Sequence, residues 1–530
     1  MAKPTILYKS GFPLYSFVFF FLILCLSCKN EIRETAEDWV KAPNIIYILA
    51  DDLGYGDLGV YGQKRIETPN LDKLAASGML FTQHYASAPV CAPSRYMLLT
   101  GKHSGHAYIR GNDEWRERGE VWDYRAMAKD STLEGQRPLP EDEVLLPQHL
   151  KTVGYRTGIF GKWGLGAPHT ASIPNRMGFD TFYGYNCQRQ AHTYYPLHLY
   201  ENEHRVHLNN DTIPPHSGFA LTGGNPDYDF FNQQDYAPEL MFDAMIQFVD
   251  EKSDAPFFLY WATPIPHVPL QAPKNWITYY RNKFGPESPF ESGDGTGYFP
   301  QEFPRAAYAA MVSYLDEQVG KLIEKLKVNG QYDNTLIIFT SDNGPSYAGG
   351  ADPEWFQSAG PFRGEYGKGK GFVYEGGIRV PMIASWPGKI APGSQSDHLS
   401  AQYDLPATLA ELTGFEFQNS GDGVSFLPEL LGQANRQQEH PFLLWAFPEY
   451  GGQLAIRNAK WKLVQRGLND SLDNPALELY NIQSDPIEQK NLALEQPEIV
   501  DSLLQILRKE YRVPETPRFQ LKEWENTLFD

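Results

Sequence analysis

The chain has 530 residues, of which 42% are apolar and 21% charged, and its formal net charge is −19. That length exceeds one simple core and predicts a large α/β domain with a smaller companion. The acidic balance excludes nucleic-acid binding, which needs a basic face, so an anionic small substrate must be captured by local positive groups within a repelling field. The 31 Tyr, 31 Phe and 11 Trp fit either carbohydrate-stacking surfaces or a large aromatic core.

Residues 1–28 read as a leader. Lys3 and Lys9 precede the apolar run Phe17 to Leu26, which is shorter than the roughly 20 residues of a spanning helix. The following "LCLSCKN" resembles a bacterial lipoprotein box and predicts a lipid on Cys28, although Cys25 stands where that pattern prefers Leu. The expected location is therefore exported, as a periplasmic or outer-membrane lipoprotein of a bacterium, with plain secretion as the alternative. Residues 29–42 are a polar tether. No later segment is apolar enough to span a bilayer.

Asn44 to Ala50, "NIIYILA", predicts a buried strand ending in Asp51-Asp52. Thr68 to Gly78 predicts a helix, with Pro near its start and Gly at its end. Tyr155 to Phe160 and Pro256 to Ala262 predict strands, followed by "GKWGLG" and "TPIPHVP". Ala306 to Val328 has helical amphipathic spacing. Thr335 to Thr340 predicts a fourth strand, ending in Ser341-Asp342-Asn343-Gly344. This alternation implies a mainly parallel sheet sandwiched by helices, with ligands beyond the C-terminal strand ends. Residues 187–235 and 280–305 read as long loops that shape a substrate site. The texture changes near residue 435, so 43–434 is expected to form the main domain. Residues 435–530 are expected to form an α+β domain, with antiparallel strands at 455–465 and 477–483 and a helix at 496–511.

The strand ends carry the chemistry. Asp51 and Asp52 are adjacent carboxylates that need a cation or donors, and Asp342 and Asn343 repeat the pattern. Such hard oxygens suit Ca²⁺, or less well Mg²⁺, and not Zn²⁺. Either pair alone is also what a turn or helix start uses. Arg95, Lys162, Lys370 and His267 each follow a strand end or a Gly-rich turn, although singly each reads as an ordinary surface charge or structural His. Once the leader is set aside, Cys91 and Cys187 remain, and a disulfide between them is one reading of an exported chain.

"CAPSRYMLLTG" resembles the signature of the type I, formylglycine-dependent sulfatases, Cys-x-Pro-Ser-Arg followed by Leu-Thr-Gly. "ADDLGYGDLG", "TPNLDKLAASG", "GKWGLG", "SDNGP" and "YEGGIRVP" are similar to other landmarks of that family, in its usual order, and "ELYNIQSDPIEQKNLA" resembles its C-terminal domain. The resemblance spans nearly all of the chain after the leader. It implies an alkaline-phosphatase-like fold and hydrolysis of sulfate esters. It further implies that a maturation enzyme, reading Pro93 and Arg95, oxidises Cys91 to formylglycine, whose hydrate attacks sulfur. Asp51, Asp52, Asp342 and Asn343, together with the modified Cys91, are then expected to bind Ca²⁺. Arg95 would hold the nucleophile, Lys162 and Lys370 the sulfate, and His267 with Lys370 would protonate the leaving alcohol.

One departure stands out. The family often has Lys-Trp-His where this chain has Lys162-Trp163-Gly164. The missing histidine can serve as the elimination base. His103, His106, His169 and His192 are the candidates for that role, and His192, in "CQRQAHTYYP", is the expected one. Export and the aromatic loops point to a sulfated carbohydrate, with "WAFPEY" from Trp445 to Tyr450 framing a sugar; Glu449 reads first as a surface charge and alternatively as an acceptor for a sugar hydroxyl. The competing functions are a phosphonate or phosphate ester hydrolase of the same superfamily and a non-catalytic glycan-binding homologue.

Overall fold

Strands β1 (Asn44–Ala50), β7 (Phe257–Ala262) and β8 (Thr335–Ser341) are apolar runs because helices cover both faces of the sheet they share. In the computed structural model of the protein the described residues are 1–2, 4–5, 42–216, 227–291, 297–417, 421–470 and 476–528. The leader's Cys25 and Cys28, and nearly all of the tether, lie outside them. No helix among the described residues is long and apolar enough to cross a membrane.

The remaining strands of the main sheet are β2 (Met79–Tyr85), β3 (Arg156–Lys162), β4 (Thr181–Tyr185), β5 (His198–Glu201), β6 (His204–His207), β9 (Arg379–Ser385), β10 (Ser394–Ser396) and β11 (Ser400–Ala401). Their order is β10-β2-β9-β8-β1-β7-β3-β4-β5-β6, with β11 beside β2. The central run β8-β1-β7-β3 is parallel throughout, with Ala50 opposite Ser341, Leu49 opposite Ala262 and Gly161 opposite Ala262. Four strands therefore finish level. Asp51-Asp52, Asp342-Asn343, Lys162 and the loop to His267 all emerge at one edge, where α/β sheets bind ligands. Antiparallel pairing enters at β8-β9, β9-β2, β4-β5 and β5-β6. β5 and β6 lie within the stretch read from sequence as loop, because short hairpin strands with four residues each carry little periodic signal.

Helix Pro304–Val328 packs its Ala- and Tyr-rich N-terminal half into the core and steadies helix Pro69–Ala76. The Asp316 carboxylate accepts the backbone N–H groups of Asn70 at 3.0 Å and Leu71 at 2.7 Å and the Asn70 side-chain amide at 2.9 Å. The two backbone groups are orphan donors of a helix start, satisfied across a long sequence gap rather than by a local cap.

A second sheet, β12 (Leu443–Phe447), β13 (Gln453–Arg457), β14 (Trp461–Arg466) and β15 (Ala476–Asn481), is antiparallel in that order. Helix Pro497–Glu510 packs on it through Val500, Leu503 and Leu507. Pro43–Asp530 is one compact unit. The two sheets meet at an ion network: buried Glu375 accepts Lys462 Nζ at 3.0 Å and the Tyr85 hydroxyl at 2.6 Å, and Lys462 also reaches Glu488 at 2.8 Å. Trp445 does not face solvent. It is buried, and its Nε1–H donates to the Ala86 carbonyl at 2.9 Å. This corrects the expectation that it frames a sugar; an aromatic next to apolar strand residues is read equally well as core or as surface from sequence alone.

Candidate active site

Cys91 is the first residue of helix Cys91–Thr100, all of whose residues are buried. Arg95 follows at i+4 and so shares its face one turn on. The Cys91 thiol donates to Asp51 Oδ1 at 3.2 Å. Burial, reinforced by the Asp51 charge, holds the thiol well above its ordinary pKa. Cys91 and Cys187 are both free, and Cys187 Sγ faces Glu114 and Met127 instead. The disulfide reading is thereby excluded.

Around Cys91 the carboxylates and cations interlock. Lys162 Nζ donates to Asp51 Oδ2 at 2.6 Å, and Arg95 Nη2 lies 3.2 Å from the same oxygen. Arg95 also donates through Nε and Nη2 to Asp342 Oδ2, at 3.2 and 2.9 Å, and through Nη1 to the Lys162 carbonyl at 2.8 Å. Asp52, at a left-handed φ of 68°, turns its carboxylate the other way. Its Oδ1 accepts the Asn343 amide at 2.8 Å and its Oδ2 accepts Lys370 Nζ at 2.7 Å. His267 Nε2 lies 3.6 Å from Asp52 Oδ2, while its Nδ1 is fixed 2.5 Å from the Val268 carbonyl.

The charges divide by environment. Burial alone would raise Asp51, but Lys162, His267 and Arg95 outweigh it and hold the carboxylate well below its usual range. Asp342 moves upward, because burial and the Asp51 charge exceed the pull of Arg95. Burial would lower Lys162 and Lys370, yet Asp51 and Asp52 respectively keep both above the ordinary lysine value. His267 is pushed down to about 4 by burial and by Lys370, so it is neutral near pH 7.

Ligand atoms of Asp51, Asp52, Cys91 and His267 lie within 4.8 Å of one another, and Asp342 and Asn343 are joined to that group by the bonds above. Asn343 Oδ1 is buried with no hydrogen-bond partner among the described residues. Three carboxylates and an orphaned amide oxygen form the hard-oxygen set that suits Ca²⁺.

His192 does not hydrogen-bond Cys91. Its ring stacks on His267, with centroids 4.9 Å apart and planes 9° apart, and its Nδ1 lies 2.7 Å from His216 Nε2. His169 instead pairs with Ser131, and His103 and His106 with Asp422. Gly164 has φ of 70°, and a Cβ there would stand 3.2 Å from Gln188 Oε1, itself buried and without a partner among the described residues. A histidine at this position would thus need both a strained backbone and a displaced Gln188.

Several residues escaped the sequence reading. A cavity of about 560 Å³ opens above Lys370, lined by His216, Tyr298, Tyr347, Tyr366 and Tyr450. Tyr298 and His216 come from the stretches read as site-shaping loops, but nothing in their spacing singled them out. Tyr450 is the part of "WAFPEY" that reaches this cavity; Glu449 accepts the Asn112 backbone N–H at 3.1 Å. Gln402 bridges the nucleophile helix to β8, accepting Ser94 Oγ at 2.6 Å and donating to the Ser341 carbonyl at 2.5 Å. A lone glutamine at the start of the short 3-10 turn Gln402–Asp404 has no sequence signal for such a role.

Residues 43–415 match the sulfatase family model, and residues 364–512 match that of the N-sulphoglucosamine sulphohydrolase C-terminal region. The chain belongs to the sulfatase family and is a sulfuric ester hydrolase. It is 33% identical to human arylsulfatase A over 509 residues, covering 88% of this chain and 87% of the relative. It is 28% identical to the N-acetylgalactosamine-6-O-sulfatase of Bacteroides thetaiotaomicron, covering 92% and 96% respectively. Among solved structures, Ps i-CgsB in complex with k-i-k-neocarrahexaose superimposes with a TM-score of 0.69 at 27% identity, over 92% of this chain and 97% of that one.

Proposed function

We propose that the protein removes sulfate from a sulfated carbohydrate, with Cys91 matured to formylglycine as nucleophile and Ca²⁺ held by Asp51, Asp52, Asp342 and Asn343. The observation that carries this reading is the Cys91 side chain, directed at Asp51 Oδ1 from the start of a buried helix, beside those carboxylates and two lysines. The bound cation would supply charge stabilisation for the sulfate oxygens and the nucleophile. An aldehyde at position 91 would supply a hydrated nucleophile with a second hydroxyl through which sulfate can leave, which a serine lacks.

The chain's own groups have separable tasks. Arg95 fixes Asp51 and Asp342 relative to position 91. Lys162 and Lys370, both protonated, stabilise negative charge growing on the sulfate group. Lys370 flanks Asp52 on the cavity side and can hand a proton to the leaving oxygen, while neutral His267, whose Nδ1–H is held at the Val268 carbonyl, presents an unprotonated Nε2 beside Asp52 and is not the donor in that state. His192 is the base in this proposal, in place of the histidine absent at Gly164, and its stack on His267 orients its ring.

The tyrosines of the cavity suit stacking against a sugar face. A galactose-type sugar is the proposed substrate, supported by the relatives named N-acetylgalactosamine-6-sulfatase. Cys91 is 1% exposed, so the maturation enzyme must meet its Cys91-to-Arg95 motif before the chain folds. Export and a lipid on Cys28 complete the proposal.

A screen of position-defined sulfated mono- and disaccharides on matured protein tests the substrate. Comparing an aryl sulfate with the matching phosphate and phosphonate esters tests the reaction class; faster turnover of a phosphonate would overturn it. Peptide mass spectrometry is expected to find the aldehyde at position 91. Full activity of Cys91→Ala would refute the nucleophile.

A further inference from the structure

The turn between β12 and β13, residues 448–452, belongs to the second sheet, yet it touches both halves of the candidate active site. Glu449 Oε1 accepts the Asn112 backbone N–H at 3.1 Å. Asn112 Oδ1 in turn accepts the backbone N–H of Ala92, the residue after Cys91, at 3.3 Å. The Glu449 carboxyl lies against the chain at Gly111, where a Cβ would stand 3.2 Å from Oε1 and 3.3 Å from Cγ and Cδ. Arg518 Nη2 lies 3.8 Å from the same oxygen. The next residue, Tyr450, has a left-handed φ of 51° and lays its ring on the Lys370 loop, so close that a Cβ on Gly371 would stand 2.9 Å from it. Gln453, which starts β13, donates to the Gly371 carbonyl at 2.8 Å and accepts the Val373 N–H at 3.2 Å.

The first turn of the nucleophile helix is weakly held from within. Val90, which precedes it, offers no side-chain cap, and Pro93 has no N–H. Ser94 N–H reaches the Val90 carbonyl only at 3.4 Å. The Ala92 N–H is one of the donors that a helix start leaves without an intrahelical partner, and Asn112 is the group that meets it.

We propose that Asn112 and Glu449 are positioning residues for the nucleophile, a brace through which the second sheet fixes the backbone of position 91 against the Lys370 loop. The inference rests on Cys91 being the precursor of the nucleophile, and it gives Glu449 a task other than accepting a sugar hydroxyl. The Ala92 N–H belongs to the planar peptide unit that joins Cys91 to Ala92. Holding that plane leaves the side chain at position 91 little freedom beyond its own rotamer. Gly371 N–H donates to the carbonyl of Pro89, two residues before Cys91, at 2.8 Å. Glu449, Tyr450 and Gln453 thus sit on one short stretch that grips the nucleophile and the loop of Lys370 together. A misplacement of about 1 Å at a reacting atom costs about 10²-fold in rate, which is the scale on which loss of the brace should be felt.

The test compares Asn112→Ala, Glu449→Ala and Glu449→Gln with wild type as full chains. Turnover of a small aryl sulfate is read per aldehyde-bearing chain, counted by peptide mass, with melting curves for all four proteins. An aryl sulfate has no sugar hydroxyl, so a loss of rate on it cannot come from a lost sugar contact. Both Ala variants are expected to lower kcat at least about 10-fold while KM stays within about twofold. Their melting temperatures should stay within about 3 °C of wild type. Glu449→Gln keeps the acceptor oxygen and should hold kcat within about threefold of wild type. Amide hydrogen exchange of residues 90–96, measured on the thiol form, needs neither maturation nor turnover. It should quicken in both Ala variants and keep the wild-type rate in Glu449→Gln. If Asn112→Ala folds poorly, the Glu449 pair decides alone. A kcat within about threefold of wild type in the Ala variants, a rise in KM in place of a fall in kcat, or unchanged exchange would each overturn the brace. Failure of the nucleophile reading shows separately, as turnover by Cys91→Ala, and leaves the exchange result standing.

Discussion

Replacing Lys370 with Gln is expected to cripple turnover while leaving the fold largely intact. Lys370 Nζ sits 2.7 Å from Asp52 Oδ2, and its side chain is 15% exposed at the floor of the cavity. At an effective dielectric constant of about 20, that 2.7 Å separation corresponds to about 6 kcal/mol of gross attraction. Desolvation of the two groups cancels most of it, so the expected loss of stability is about 1–3 kcal/mol. The larger effect falls on catalysis. A preorganised cation aimed at developing charge contributes about 3–4 kcal/mol, or about 10²–10³ in rate. The loss should appear in kcat as well as kcat/KM, because the interaction strengthens as the leaving oxygen gains charge. The assay is steady-state turnover of an aryl sulfate by wild type and variant, at equal formylglycine content measured by peptide mass and with melting curves for both. A kcat within about threefold of wild type would refute the assignment of Lys370 to the transition state.

His192→Ala is expected to lower kcat by about 10²-fold or more, as for loss of an acid or base; near-normal turnover would mean that another group removes the proton. Asp316→Ala strips three hydrogen bonds from the start of helix Pro69–Ala76 and should cost about 2–4 kcal/mol in denaturant unfolding. Asp57 is buried, with Gly54 N–H at 2.8 Å and the Tyr308 hydroxyl at 2.6 Å on one oxygen, and burial pushes its carboxyl up to about 7. A raised folded-state pKa favours folding when the group is protonated, so this contribution is full below the unfolded value near 4 and is lost as pH rises to about 7. Asp57→Asn should therefore gain on the wild type across that window, by at most about 4 kcal/mol, in urea melts at a series of pH values.

How far the sequence reaches depends on how local the physics is. Apolar runs such as "NIIYILA" and "TLIIFT" mark buried strands, because a strand covered on both faces has no polar positions. The carboxylates and the lysine that end them announce a site, because parallel strands finish at one edge. Ionisable residues at a strand end sit on a fixed frame, so Asp51, Asp52, Lys162 and Asp342 were legible before any coordinates. The antiparallel hairpin of β5 and β6 was not, since four-residue strands leave no periodicity to read.

What only the tertiary structure decided are relations between distant residues. Gln402 joins Ser94 to Ser341, Asp316 caps a helix start at Asn70 that lies 246 residues before it, and Trp445 turns inward to Ala86. The cavity over Lys370 draws His216, Tyr298, Tyr347 and Tyr450 from four separate segments. The sequence by itself marked the ionisable groups that gather at the candidate site, because strand ends and helix starts position them locally. Which aromatics surround them, where His192 lies and what His103 and His106 meet depended on packing across hundreds of residues, where contact is set by shape and hydrogen-bond satisfaction rather than by spacing along the chain.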